Sequence, residues 1–265
     1  MSVTDNLSAA ACAVLCEAEP LAKVAAGAAA AEAWRAGSLT HLGACQPPSR
    51  PARPIRPELR RPGDMPRRSM SGERGRIALL HAIAHIELNA MDLAWDLIAR
   101  FTNPDLPRTF YDDWVKVAAD EGRHFTMLAA RLAELQAAYG DLPAHDGLWQ
   151  AAEKTADDLT ARLAVVPMLL EARGLDVTPA MADKLRRGGD ARSANILLTI
   201  YEEEIGHVSV GRRWFEWSCR RQGLAPVAHW QKLIDGYFKG ALKPPFNHAA
   251  RRRAGMATLY YQPGA

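Results

Sequence analysis

The chain has 265 residues, of which 48% are hydrophobic and 24% charged, the usual composition of a soluble globular protein. Its net charge of +3 argues neither for nor against a nucleic-acid partner. No apolar run approaches the roughly 18 residues that a membrane helix needs, and the acidic N-terminus argues against a signal peptide. We therefore expect no membrane partner. Aromatic residues are few, at 7%, and alanine and leucine are abundant, which favours helix over sheet.

The cysteines bear on the cellular compartment. The chain has four, Cys12, Cys16, Cys45 and Cys219, and they form no Cys-x-x-Cys pair. Four cysteines are too few for a disulfide framework in a chain of this length. We interpret them as reduced thiols, and we expect a cytoplasmic protein.

The first third of the chain combines helices with an extended segment. Alanine-rich stretches predict two helices, 8–16 and 21–35, separated by Pro20. Seven prolines and seven arginines then fall between Pro47 and Arg68, a segment that we call the arm. Because proline fixes φ and removes a hydrogen-bond donor, the arm should run extended over the surface.

The charge of the arm allows two interpretations. Between Arg50 and Arg76 there are nine arginines and three acids, a net charge of +6. The arginines either pair with acidic faces of the helices or bind phosphate groups, as in RNA.

The rest of the chain predicts an all-α domain. Apolar residues recur at helical spacing, and glycine or proline ends most of the segments. We predict residues 1–70 to form an N-terminal region and residues 71–265 a helical bundle with a C-terminal extension. The long helices are expected at 73–101, from 106 or 109 to 139, at 147–173 and at 191–221. Shorter helices are expected after Pro179 and at 227–238, with an irregular tail beyond them. No segment has the pattern of a strand.

Each long helix has one glutamate within its apolar stripe. These residues are Glu87, Glu121, Glu171 and Glu204. A carboxylate is costly to bury unless it is paired or ligates a metal. If the helices bundle, the four carboxylates could converge, and two divalent cations would neutralise them.

Two of these glutamates are followed three residues later by histidine. Glu121 and His124, like Glu204 and His207, therefore share a helix face. The chain order Glu, Glu-x-x-His, Glu, Glu-x-x-His is that of di-iron and di-manganese carboxylate proteins. Glu203 lies four residues before His207 and is an alternative ligand. We prefer Glu204 because it repeats the spacing of Glu121.

Five motifs carry a resemblance to known proteins. They are HAIAHIE at 81–87, ADEGRHF at 119–125, PAHDGLW at 143–149, LEARGLD at 170–176 and EEEIGHV at 202–208. With them the chain resembles the ferritin-like superfamily, and more closely a bacterial ferritin-like family known only as a domain of unknown function. More distantly it is similar to the di-iron tRNA hydroxylase that modifies isopentenyladenosine. The resemblance implies a ferritin-like four-helix bundle, with extra helices at both ends, that holds two iron ions, or manganese.

The function predicted from these features is an oxygen-activating oxidoreductase, a hydroxylase or oxidase of an unknown organic substrate with an unknown electron donor. Six ligands leave coordination positions open on two metal ions, whereas purely structural sites are usually closed by protein ligands. Two alternatives remain. The first is a structural or binding protein whose metal ions only stabilise its fold, and the second is a ferroxidase that handles iron. The sequence predicts neither a catalytic residue nor the oligomeric state.

Overall fold

A computed structural model describes residues 6–66, 72–238 and 242–262. Over these residues the fold is predominantly α-helical, which confirms the predicted class. The helices are α1 (Leu7–Cys16), α2 (Pro20–Arg35), α3 (Gly72–Arg100), α4 (Arg108–Glu134), α5 (Gly147–Lys154), α6 (Leu159–Val165), α7 (Ala172–Arg187), α8 (Ala191–Arg221), α9 (Pro226–Tyr237), α10 (His248–Arg253) and α11 (Thr258–Tyr261). A 3₁₀ turn covers Pro62–Asp64, and a π-helix covers Val166–Glu171. Two short strands are β1 (Leu59–Arg60) and β2 (Ala144–His145).

The chain divides into two compact units, Met1–Trp149 and Gln150–Ala265, here called unit 1 and unit 2. The predicted boundary between an N-terminal region and a bundle, at residues 70 and 71, lies outside the described residues and stays a prediction.

In unit 1 the alanine-rich helices form where the sequence predicts them. Asn6 is the N-cap residue of α1, and its side chain accepts a hydrogen bond from the backbone N–H of Ala9 at 2.8 Å. Proline is the first residue of α2, where its missing N–H costs nothing. Helix α1 packs against the longer helix α3, and α2 packs against the longer helix α4.

The helix α3 is the core of unit 1. Contrary to the expectation from the sequence, it is long and apolar enough to cross a membrane, but 67% of the apolar window is buried inside the protein. Three of its buried residues, Glu87, Asp92 and Asp96, are acidic. These features are those of a core helix with built-in polar contacts.

The described part of the arm, residues 47–66, runs in a mostly irregular, extended conformation along unit 1, as predicted. Its backbone N–H at Ala52 donates to the carbonyl of Leu15 in α1, at 2.7 Å. Further along, β1 pairs in parallel with β2, with Leu59 opposite Ala144. This two-residue pairing escapes sequence analysis because it is too short to show a strand pattern.

Two of the cysteines form a disulfide, Cys12–Cys45, so the prediction of four reduced thiols is wrong. Cys16 and Cys219 are free. The segment after α2 returns along α1, where the backbone of Leu7 donates to the carbonyl of His41 at 3.1 Å. That tertiary contact brings together two thiols 33 residues apart, which spacing alone did not indicate.

In unit 2 the predicted third helix, 147–173, is wrong. Helix α5 ends at Lys154, and Asp158 caps the new helix α6 by accepting from the N–H of Ala161 at 3.0 Å. The helix then continues through the π-helix into α7 without stopping at Gly174. Pro179 lies inside α7, so the separate short helix predicted after it is also wrong.

The fourth long helix is confirmed, because α8 spans the predicted range 191–221. The tail, predicted to be irregular, contains α10 and α11. It is held to α7 by a buried ion pair in which Arg251 Nη2 lies 2.7 Å from Asp176 Oδ2. A long-range pair of this kind has no local sequence pattern.

Candidate metal centre

Unit 1 brings three of the predicted ligands together. Glu87 on α3 and Glu121 and His124 on α4 each offer one ligand atom, and these atoms lie within 4.8 Å of one another. The His124 Nδ1–H donates to Glu87 Oε2 at 3.0 Å, and Glu121 Oε2 lies 3.5 Å from the same nitrogen. All three residues are at most 5% exposed. We call these three residues half-site 1.

In half-site 1 two buried carboxylates lie against one histidine. Elsewhere on α3 the buried Asp92 pairs with Lys23, and Asp96 pairs with Arg100. Glu87 and Glu121 both approach the Nδ1 atom of His124. Burial alone would lower the pKa of His124, but hydrogen bonds and charge from Glu121 and Glu87 outweigh burial and raise the pKa to about 11. Without metal, the two carboxylates therefore hold a proton on the imidazole.

Close packing of α4 sets the position of half-site 1. Gly122, next to Glu121, sits inside an uninterrupted α-helix rather than at a bulge. A Cβ at Gly122 would lie 3.3 Å from Met91 Sδ and 3.4 Å from Val24 Cγ1. Met91 is one turn after Glu87 on α3, so Gly122 lies at the contact between α4 and the helix that carries the first ligand.

Unit 2 contains a second Glu-x-x-His pair. On α8 the His207 Nδ1–H donates to Glu204 Oε1 at 3.2 Å. His207 is buried, whereas Glu203 and Glu204 are half-buried. Glu202, at the surface, pairs with Arg253 at 2.7 Å. The contact with His207 favours Glu204 over Glu203 as its partner, in line with the spacing argument.

Glu171 is the last residue of the π-helix, and its side chain is half-buried. Pro167, second in the π-helix, cannot donate a backbone hydrogen bond, and insertion of an extra residue per turn relieves such a break. On α8, Gly211 makes room for this proline, because a Cβ there would lie 2.3 Å from Pro167 Cβ. We call Glu171, Glu204 and His207 half-site 2.

The donor set of half-site 1 suits a metal ion. Carboxylate oxygens and imidazole nitrogen are ligands for iron and manganese as well as zinc. Binding would exchange the proton on His124 for the metal, because a histidine must be deprotonated to coordinate. The buried cluster of glutamate and histidine could thus hold a metal ion.

Comparison with known proteins gives a family. The family model described as "Protein of unknown function (DUF455)" matches residues 16–262. The chain belongs to this family. It is also 41% identical over 208 residues to an uncharacterized protein of Haemophilus influenzae, an alignment that covers 77% of this chain and 72% of the relative. No solved structure matches the chain. The resemblance to a bacterial family of unknown function is therefore confirmed, and the family's description names no activity.

A group of polar residues beside half-site 1 was not predicted. Lys23 on α2 is 2% exposed and bonds to Asp92 on α3 at 2.6 Å. Arg53 of the arm lies 3.8 Å from the other oxygen of Asp92. The available signals were a lone lysine in an alanine-rich helix and an aspartate in an apolar one. Neither residue identifies its partner from the sequence.

Proposed function

We propose that the protein is a di-iron, or di-manganese, carboxylate oxidoreductase. In this proposal two metal ions are bound by six ligands: Glu87, Glu121, His124, Glu171, Glu204 and His207. The bound metals would supply the oxygen chemistry needed to hydroxylate or oxidise an organic substrate, with electrons from a separate donor. The ferritin-like resemblance of the sequence supports this assignment.

The observation that carries the proposal is half-site 1. Two glutamates and a histidine from consecutive helices meet in the core of unit 1, with ligand atoms within 4.8 Å. Carboxylate oxygens and an imidazole nitrogen held this close together form a donor set that suits iron or manganese. Unit 2 repeats the Glu-x-x-His pair with the same offset and with the His207 Nδ1–H directed to Glu204.

When bound, a pair of redox-active metals would supply the one-electron and oxygen chemistry that side chains cannot. The protein's own contribution is different in the two half-sites. Half-site 1 fixes its ligands in a dry core and releases the proton of His124 on metal binding. Half-site 2 offers two half-buried carboxylates, Glu171 and Glu204.

Metal content tests the ligand assignment. We expect about two iron or manganese ions per chain by elemental analysis, since this ligand set belongs to dinuclear sites. The single changes His124→Ala and His207→Ala should each lose most of one metal ion, and the double variant should lose both. His41→Ala is the matched control, because His41 is exposed and outside both half-sites. Full metal content in the double variant would remove the assignment.

Reaction with oxygen separates the three functions predicted from the sequence. For an oxidoreductase, ferrous protein should react with oxygen to a coloured diferric form and stop at two irons per chain. A ferroxidase would continue to oxidise added iron far beyond that ratio. A protein whose metal ions are purely structural would react slowly with oxygen, and metal removal would mainly lower its melting temperature. Stopped-flow absorbance at rising iron-to-protein ratios distinguishes these results.

RNA binding through the arm is a separate proposal, supported by the exposure of Arg56, Arg60 and Arg61. Arg53 is not suitable for its test, because it is 18% exposed and lies among carboxylates. Changing Arg56 and Arg61 to alanine should weaken tRNA binding and flatten its salt dependence, since each phosphate contact releases counterions. If no tRNA is retained at low salt, the arm is structural.

A cytoplasmic location is also a proposal, and fractionation of cells tests it.

A further inference from the structure

Pro179 leaves one carbonyl group of α7 without its usual donor. In an α-helix each backbone N–H donates to the carbonyl four residues earlier, but proline has no N–H, and its ring crowds that carbonyl. Because Pro179 lies inside α7, the group affected is the carbonyl of Leu175. Leu175 is fully buried. A buried carbonyl needs a donor, so another part of unit 2 must supply it.

Asn247, the residue just before α10, supplies this donor. A side-chain amide carries two N–H donors. The Nδ2 of Asn247 donates to the Leu175 carbonyl at 3.1 Å and to the Tyr201 hydroxyl at 3.0 Å. Leu175 belongs to α7 and Tyr201 to α8. We call this pair of hydrogen bonds the bridge, because one amide group joins the two helices.

The other contacts of Asn247 fix the orientation of this amide. Its Oδ1 accepts from the backbone N–H of Ala250 at 3.1 Å and so caps α10. The opposite orientation would direct Nδ2 at that N–H and the oxygen at the Leu175 carbonyl. The backbone N–H of Asn247 donates to Asp176 Oδ1 at 2.9 Å, and Asp176 accepts two hydrogen bonds from Arg251. Asn247 is therefore anchored to α7 independently of the bridge.

The bridge lies one helical turn from two of the proposed metal ligands. Leu175 is one turn after Glu171, and Tyr201 is one turn before Glu204. The helices α7 and α8 pack against each other, and a short loop joins them, so their chain directions are opposite. Both ends of the bridge lie on the loop side of their ligands. The bridge therefore fixes the distance between the two helices beside the two carboxylates.

We propose that Asn247 is a positioning residue for half-site 2. By joining α7 to α8, it holds Glu171 and Glu204 at the separation that metal binding requires. This role rests on the proposed function, but the bridge is a property of the metal-free chain and can be measured there. A purely structural role, in which Asn247 only caps α10 and satisfies the Leu175 carbonyl, gives no part to Tyr201.

Two variants break opposite ends of the bridge. Asn247→Asp has nearly the same shape and caps a helix equally well, but its carboxylate has no N–H for the Leu175 carbonyl. Tyr201→Phe removes the hydroxyl on α8 and leaves the bond to Leu175 intact. Because either change opens the same bridge, the double variant should behave no worse than the more affected single variant. Asn195→Asp, at an exposed position of α8, is the control for the added charge.

Amide hydrogen exchange in metal-free protein tests the bridge. Loss of a hydrogen bond should speed exchange at residues 172–178 and 198–204 about fivefold in each single variant, with no further increase in the double variant. Asn195→Asp should exchange like the unaltered protein. Unchanged exchange in Tyr201→Phe would overturn the proposal, whether or not Asn247→Asp folds. Additive effects in the double variant would also overturn it.

Metal binding tests the positioning. In a titration with manganese(II) against a chelating dye, the second of two ions should bind about tenfold more weakly in both single variants, with the first ion unaffected. Unaltered affinity for both ions in both variants would contradict the role in half-site 2, even where exchange is faster. If the unaltered protein binds no metal, the proposed function fails, whereas the exchange comparison still decides whether Asn247 holds the two helices.

Discussion

The two compact units present the same residue types in the same order, but they hold them differently. Half-site 1 stands on two uninterrupted α-helices, and its residues are at most 5% exposed. In half-site 2, Glu171 ends a π-helix, and Glu171 and Glu204 are half-buried. The same sequence pattern can therefore place its residues in helices of different type and at different degrees of burial. Half-site 1 is almost fully buried, whereas the glutamates of half-site 2 are partly exposed.

The largest expected effect tests this difference in metal-free protein. His124→Ala removes the cation shared by two buried carboxylates, and loss of one partner from a buried pair costs about 3–5 kcal/mol. His207→Ala should cost less than half as much, because its partner Glu204 is 12% exposed and can be hydrated. Urea unfolding of the chelator-treated variants measures both values.

A triple comparison sharpens that result. Adding Glu87→Gln to His124→Ala removes one of the two carboxylate charges that His124 contacts and should restore part of the stability. Equal costs for His124→Ala and His207→Ala would show that burial does not distinguish the two half-sites.

The disulfide gives a second difference between the units. Among the residues that the structure describes, a disulfide occurs in unit 1 between Cys12 and Cys45, while Cys219 of unit 2 is a buried thiol. Reduction should lower the free energy of unfolding of unit 1 by about 2–4 kcal/mol, because a loop of this length gains entropy in the unfolded chain. Thermal melts with and without reductant measure the effect. Cys12→Ser should abolish the sensitivity, and Cys219→Ser should leave it intact.

Two glycines beside the half-sites form the third test. Gly211→Ala places a Cβ 2.3 Å from Pro167 Cβ, and the rigid ring cannot move aside. We expect a loss of about 1–3 kcal/mol from overpacking, with reduced metal content from displacement of the π-helix. Gly122→Ala meets Met91 Sδ at 3.3 Å, and this flexible side chain can yield.

The expected result for Gly122→Ala is therefore a neutral or slightly stabilising change, since alanine favours helix by about 1 kcal/mol over glycine. Circular dichroism melts and elemental analysis check both variants. If Gly211→Ala is tolerated with full metal content, the contact with Pro167 does not position Glu171.

The smallest effect is the pH dependence of half-site 1. The pKa of His124 is raised to about 11, so the stability that its proton gives to metal-free protein is complete below pH 6.5 and is lost as the pH rises through 11. Metal binding releases this proton. Apparent metal affinity should therefore rise about tenfold per pH unit between pH 6 and 8 for this one proton.

In His124→Ala the slope of the logarithm of metal affinity against pH should fall by one proton. Competition between a chelating dye and the protein, at several pH values, measures this slope. An unchanged slope would mean that His124 gives up no proton when metal binds.

Helix positions were predicted where the apolar period is continuous and the ends carry glycine, proline or a cap. This condition holds for α3 and α8, whose bounds differ from the prediction by at most one residue. It fails for the third long helix, because Asp158 starts a new helix and Pro179 is accommodated within α7. Local propensity cannot show that packing will override a proline or a glycine.

The sequence by itself determined the helical class, and it singled out the six candidate ligands, because spacing along a helix fixes which side chains share a face. Only the tertiary structure decided which of them meet, with Glu87 joining Glu121 and His124 across two helices. It also decided the Cys12–Cys45 disulfide and the placing of Arg53 against Asp92. The reason is physical: helical period is a local property, whereas a disulfide, a buried ion pair or a cavity depends on residues far apart in the chain that packing brings together.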